Sequence, residues 1–305
     1  MNTGFLYQAI LLLVSLMLVA APAPGQTGQK PLGDKENPLL IGNRDLNTDR
    51  INFYSLDQEI ALGRQLAVEV DQATRLVDDP LVTEYVHRVG QNIVLNSDAG
   101  MPFTIKIIDS DDVNAFALPG GYLYVNRGML EVADSEAELA GVMAHWIGHV
   151  TARHGLAQEL KNNLINGLLR LFSQGESDYV NPGCPLSIPL AFLKFSYGAE
   201  AEADQLGAQY LWASGYDPQA LGHFCEKLQL KQEAEPGTVL GLFSTHLMTD
   251  DRIAKVNRLA ARFPDQLKFG PNSFEFSVIK ARLMASRAEK RPADPPNTRP
   301  VLKRR

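Results

Sequence analysis

The sequence predicts an α+β fold, mostly helical with one small β-sheet. Three observations carry that expectation: apolar residues recur at helical spacing through most of the chain, one segment from Phe103 to Val125 switches to alternation, and two helical patterns precede it. The composition allows it, since 305 residues with 45% hydrophobic and 21% charged side chains suffice for one large domain or two small ones.

In chain order, a continuous apolar run from Ile10 to Ala21 leads into a small, Pro-rich stretch, so residues 1–25 read as an export signal cut after Ala23-Pro24-Gly25. No Lys or Arg precedes the run, which is short for a membrane span, and no Cys follows it to carry a lipid. The expected location is periplasmic or secreted, with membrane association through an uncleaved leader left open. Residues 26–54, rich in Gly, Pro, Asn and Asp without apolar periodicity, read as a linker, and the folded domain is expected over 55–290.

Helical spacing runs from Leu56 to Val70 and, after the break at Asp78-Asp79-Pro80, from Pro80 to Leu95. Phe103, Ile105 and Ile107 then alternate with polar neighbours, and Tyr122 to Val125 is β-favouring behind the Pro119-Gly120-Gly121 turn. Ser135 and Glu138, in capping-box spacing, open a helix whose Leu139, Val142, Met143, Trp146, Ile147 and Val150 form a broad apolar stripe. Further helices are expected over Leu160–Phe172, from Ile188 to Ala213 with Gly215 as the stop, after Asp217-Pro218, and after Thr249-Asp250-Asp251. A Gly/Pro-rich loop covers Asn181 to Pro185, and residues 291–305 read as a disordered tail.

The formal charge of −6 argues against nucleic acid as a partner, because phosphate binding needs a concentrated basic surface. The basic end Lys303-Arg304-Arg305 reads as solvated. Cys184 and Cys225 fit either a disulfide in an oxidising compartment or two separate thiols.

The chemistry concentrates in SEAELAGVMAHWIGHVTARHG, Ser135 to Gly155. His145 and His149 project from one side of a helix a turn apart, so both imidazoles can face one metal ion. On its own that pair is weak evidence. A second helix carries Glu200 and, one turn along the same face, Asp204, with Ala203 and Gly207 small enough for close approach. Glu200 can reach the ion while Asp204 fixes the tautomer of a ligating imidazole. The bland alternative makes Glu200, Glu202 and Asp204 a solvated charged face.

Taken together, NAFALPGGYLYVNRGML, AHWIGHVTARHG, EAEADQLGAQYLWASGYDP and STHLMTDDRIAKV resemble the zinc metallopeptidases that include the CAAX prenyl proteases and the periplasmic BepA-like peptidases. The resemblance runs from about Ser55 to Phe263. It implies a zincin-like domain with Zn2+ held by His145, His149 and Glu200, and with Asp204 behind a ligand. It also implies a sheet lining the cleft at Asn114 to Val125, and His246 and Arg252 as further catalytic groups. Unfolded or extended polypeptide would be the substrate, and envelope assembly proteins further partners.

The chain departs from that family pattern at one telling place. Where the resemblance implies Glu after the first His, as HExxH, this chain has Trp146. Indole carries no basic nitrogen and donates only through its N–H, so Trp146 cannot act as the general base. Tyr197 and Leu247 also replace an Arg and a Pro of the pattern. The expected function is therefore an exported zinc-metallopeptidase-family protein with impaired hydrolysis. Two alternatives stay open: a pseudopeptidase acting as a chaperone or assembly factor in the envelope, and an active endopeptidase with a base relocated to Asp111, Asp112 or Glu138; Glu202, pointing about 200° away from Glu200 on its helix, suits that role poorly. His87 and His223 read as packing or surface residues, and His154 as a hydrogen-bonding residue near the helix end. Ser244 and Thr245 lack the partners of a nucleophile.

Overall fold

The structure is a computed structural model describing residues 31–47, 54–156, 195–234, 249–266 and 274–290. The expected export signal, the 160–172 helix, the 181–185 loop with Cys184, the segment with Ser244, Thr245, His246 and Leu247, and the 291–305 tail lie outside the described residues. Met1–Gly33 and Asp34–Arg305 separate into two units, and every described element belongs to the second.

Two amphipathic helices come first. Helix α1 (Leu56–Ala73) starts with a full capping box, in which the Ser55 hydroxyl accepts from the Gln58 amide and the Gln58 side chain accepts from the Ser55 amide. Helix α2 (Pro80–Leu95) has Asp79 as its cap and Pro80 in its first turn, where a missing N–H costs nothing.

Three short strands follow: β1 (Thr104–Ile108), β2 (Ala115–Leu118) and β3 (Tyr122–Asn126). Their order is β1-β3-β2, with β1 parallel to β3 and β2 antiparallel to it, Ala115 standing opposite Val125. Gly120 and Gly121, at φ 74° and 84°, make the tight β2–β3 turn in a backbone region that side chains resist. Leu66, Ala67 and Val70 of α1 pack on Ile108, Leu118 and Tyr124 of the sheet, and the Tyr124 hydroxyl donates to the Ala67 carbonyl. β2 lies at the sheet edge.

Helix α3 (Arg127–Val132) leads into the central helix α4 (Glu136–Thr151), in which every residue from Leu139 to Thr151 is buried. Ser135 caps α4 through the Glu138 amide. The Glu138 carboxylate, however, accepts from the Asp134 amide and from Lys227, so the capping-box spacing is only half used as such. Helix α5 (Tyr197–Ala213) packs along α4, with α6 (Ala220–Ala234), α2 and β2 on its other sides. Helix α7 (Asp250–Ala260) lies on α5, and α8 (Phe274–Lys290) on α2 and α3.

Residues 188–194 of the long helix expected from Ile188 to Ala213 lie outside the described residues; the described helix starts at Tyr197, where the Ser196 hydroxyl accepts from the Ala199 amide and caps it. Cys225 on α6 is a buried free thiol whose pKa burial pushes up to about 12. Among the described residues no helix is long and apolar enough to cross a membrane.

Part of the stretch read as linker is docked. Pro38, in a short 3-10 helix (Pro38–Leu40), and Leu46 are buried. The Arg44 guanidinium donates to Asp98 Oδ2 at 3.0 and 2.7 Å, to Asp98 Oδ1 at 3.2 Å, and to Gln209 Oε1 of α5 at 2.7 Å. Asp98 also accepts from the Gly42 amide and the Tyr210 hydroxyl. Polar anchors rather than an apolar stripe hold this segment, which is why hydrophobic periodicity does not reveal it. Arg44 and Asp98 side chains are 5% and 4% exposed, so Arg44→Ala leaves a buried carboxylate without its ion-pair partner. The expected loss of stability is about 3–5 kcal/mol in urea unfolding; a loss below about 1 kcal/mol, the surface-pair range, contradicts a docked role.

Candidate metal centre

The centre forms where α4 and α5 touch backbone to backbone. A Cβ on Gly207 of α5 would lie 3.1 Å from the His145 amide nitrogen, and one on Gly148 of α4 would lie 3.0 Å from the Ala203 carbonyl oxygen. Only residues without side-chain bulk allow this approach, and it brings the polar face of α5 against the two histidines.

At the crossing, His145 Nε2 and His149 Nε2 are 3.1 Å apart. Glu200 Oε2 lies 3.6 Å from the first and Glu200 Oε1 3.6 Å from the second. All three side chains are buried, and together they form a group able to hold a metal ion. Tetrahedral zinc with ligands at about 2.0–2.1 Å has ligand–ligand edges of about 3.3–3.5 Å, so both the spacing and the donor set suit such an ion.

Behind the donors stands a second layer. His145 Nδ1 lies 3.0 Å from Asp204 Oδ1, which directs the Nε2 lone pair toward the common point. Arg252, in the first turn of α7, donates to Asp204 Oδ2 at 2.6 Å, Asp204 Oδ1 at 2.8 Å and Glu200 Oε2 at 3.0 Å. Burial alone would raise the Asp204 carboxyl, but hydrogen bonds from His145 and Arg252 outweigh it and hold it below the ordinary aspartate value. Arg252 offsets one of the two carboxylate charges and leaves the other for a cation. The Arg252 guanidinium thus spans the two carboxylates that face the histidines.

Trp146 is fully buried beside the donors, its ring centroid 5.9 Å from that of His145 and 5.4 Å from that of His149. Phe195 stacks on His149 at 4.1 Å. Asp111 is paired with Arg127, Asp112 with Ser110, Glu138 with Lys227, and Glu202 with His154. His87 and His223 are exposed. Neither the stacking of Phe195 nor the clamp made by Arg252 is legible in the sequence, because neither residue shares a helical period with the histidines.

The sequence profile described as Peptidase family M48 matches residues 80–260, more than half the chain. The chain belongs to peptidase family M48. A Beta-barrel assembly-enhancing protease of Yersinia pestis is 30% identical over 256 residues, covering 79% of this chain and 51% of that protein. The Mitochondrial metalloendopeptidase OMA1 of Arabidopsis thaliana is 35% identical over 131 residues, covering 42% and 26%. Metalloprotease LoiP of Escherichia coli (strain K12) is 28% identical over 223 residues, covering 68% and 84%. The chain spans about half the length of the barrel-assembly relative.

Membership in M48 implies a metal, and the His145, His149 and Glu200 donors fit one. If Asp204 orients His145, Asp204→Asn weakens zinc binding about 10- to 100-fold in chelator competition. An unchanged affinity contradicts that role.

Proposed function

We propose that this chain is the zinc-binding peptidase domain of an exported M48 protein, working on extended polypeptide in the periplasm with its hydrolytic step impaired. The observation that carries the reading is the buried convergence of His145 Nε2, His149 Nε2 and a Glu200 carboxylate at 3.1 to 3.6 Å. In this reading Asp204 and Arg252 hold the donors in place. β2, at an edge of the described strands, pairs with a substrate backbone by strand addition. When bound, zinc supplies Lewis acidity and lowers the pKa of a coordinated water.

The impairment rests on Trp146. The position that the family pattern gives to a general base is filled by an indole wedged beside both imidazoles, which cannot take a proton from water or return one to a leaving amine. The other carboxylates weighed for that role already have partners, which disfavours a relocated base. An assembly role is supported by the likeness to the Beta-barrel assembly-enhancing proteases. A cleft that keeps its metal and loses its base holds chains longer than it cuts them.

The test sets Trp146→Glu beside the unaltered chain, with zinc content and casein cleavage measured on both. Zinc should bind to each, and the variant should cleave faster by about 10²–10⁴-fold, the usual worth of a positioned base. Equal, chelator-sensitive turnover by the unaltered chain overturns the impairment.

A further inference from the structure

The outward nitrogen of His145 faces the Asp204 carboxylate, whereas another imidazole faces that of His149. His149 Nδ1 lies 3.0 Å from Nδ1 of His154, and Nε2 of His154 lies 3.3 Å from Glu202 Oε2. We propose that His154, anchored by Glu202, is the positioning residue that fixes the tautomer of His149 and so readies Nε2 for the metal; this rests on the metal-binding reading above.

The direction of the relay follows from donor counting. A neutral imidazole has one N–H and one lone pair. If Nε2 of His149 is to offer its lone pair beside that of His145, the His149 proton sits on Nδ1 and is donated to His154 Nδ1. His154 must then carry its own proton on Nε2, where the Glu202 carboxylate accepts it. Each metal-facing imidazole thus ends on a carboxylate, His145 directly on Asp204 and His149 through one intervening ring.

Helical geometry alone would not place His154 there. Five residues at 100° each would set it about 140° around the axis from His149. The chain instead leaves the α-helical path at Arg153, whose φ of 55° is the one positive value at a non-glycine among the described residues. That left-handed conformation is unfavourable for a residue with a side chain. It is held by Arg153 Nε on Glu59 at 2.7 Å and Nη2 on the Tyr54 carbonyl at 2.9 Å. Glu59 is 1% exposed, so the clamp is anchored inside the fold. His154 itself is buried. A strained residue, clamped by a buried carboxylate, brings a buried imidazole onto a metal-facing one.

The test is nitrogen-15 NMR of the imidazoles in the zinc-free chain, with His149 assigned by His149→Ala, beside zinc affinity by chelator competition. In the unaltered chain His149 should be the Nδ1–H tautomer. In His154→Ala it should shift toward Nε2–H, with zinc binding weakened about 10- to 100-fold. His154→Asn, whose side-chain carbonyl can accept from His149, should recover the Nδ1–H form and most of the affinity. Glu202→Gln changes a more exposed residue, keeps the fold intact, and should move both readouts in the same direction by a smaller amount. An unchanged His149 tautomer in both His154→Ala and Glu202→Gln overturns the proposal, as does Nε2–H in the unaltered chain. A tautomer shift without zinc uptake by the unaltered chain leaves the relay standing and removes the metal-binding reading instead.

Discussion

The structure turns on the near-contact of two helix backbones, where Gly207 of α5 meets His145 of α4. Helices with ordinary side chains at the contact pack about 8–10 Å apart. A glycine on each side of this crossing brings Glu200 within reach of both imidazoles and Asp204 onto the back of one of them. The other elements secure that crossing. α4 is buried along most of its length by α2, α6 and the sheet, and α7 contributes Arg252 to the carboxylates.

Burying two carboxylates and three imidazoles in one small volume is costly unless each has a partner and a compensating charge. Arg252 supplies one positive charge and three donated hydrogen bonds. The remaining negative charge, with both Nε2 atoms directed to the same point, leaves a position suited to a cation. Trp146 does not alter this balance, because it contributes bulk and ring contacts but no charge. A chain can therefore keep its metal-binding core while lacking a group that moves protons.

Much of this was legible in the sequence because regular periods encode it. Pro80 to Leu95 is a helix with the bounds that its apolar spacing gives, and His145 with His149, like Glu200 with Asp204, follows from the helical turn. Strand pairing was less legible: alternation marks β1 and β-favouring residues behind a turn mark β3, but neither says that the two run parallel with β2 antiparallel on the far side. Least legible were contacts made by non-periodic backbone. The Arg44 anchor belongs to a segment without apolar pattern, and His154 reaches His149 only through the left-handed turn at Arg153. The sequence does place Arg252 in the first turn of a helix, yet its long side chain reaches two residues of another helix, a contact with no spacing to reveal it.

The most direct measurement is X-ray absorption at the zinc edge on the zinc-loaded chain, with zinc stoichiometry taken for His149→Ala in parallel. The expected spectrum has two imidazole nitrogens and carboxylate oxygen at about 2.0–2.2 Å without sulfur, and the variant should lose the ion. A shell containing sulfur, or full zinc retention by His149→Ala, would contradict a centre built from His145, His149 and Glu200.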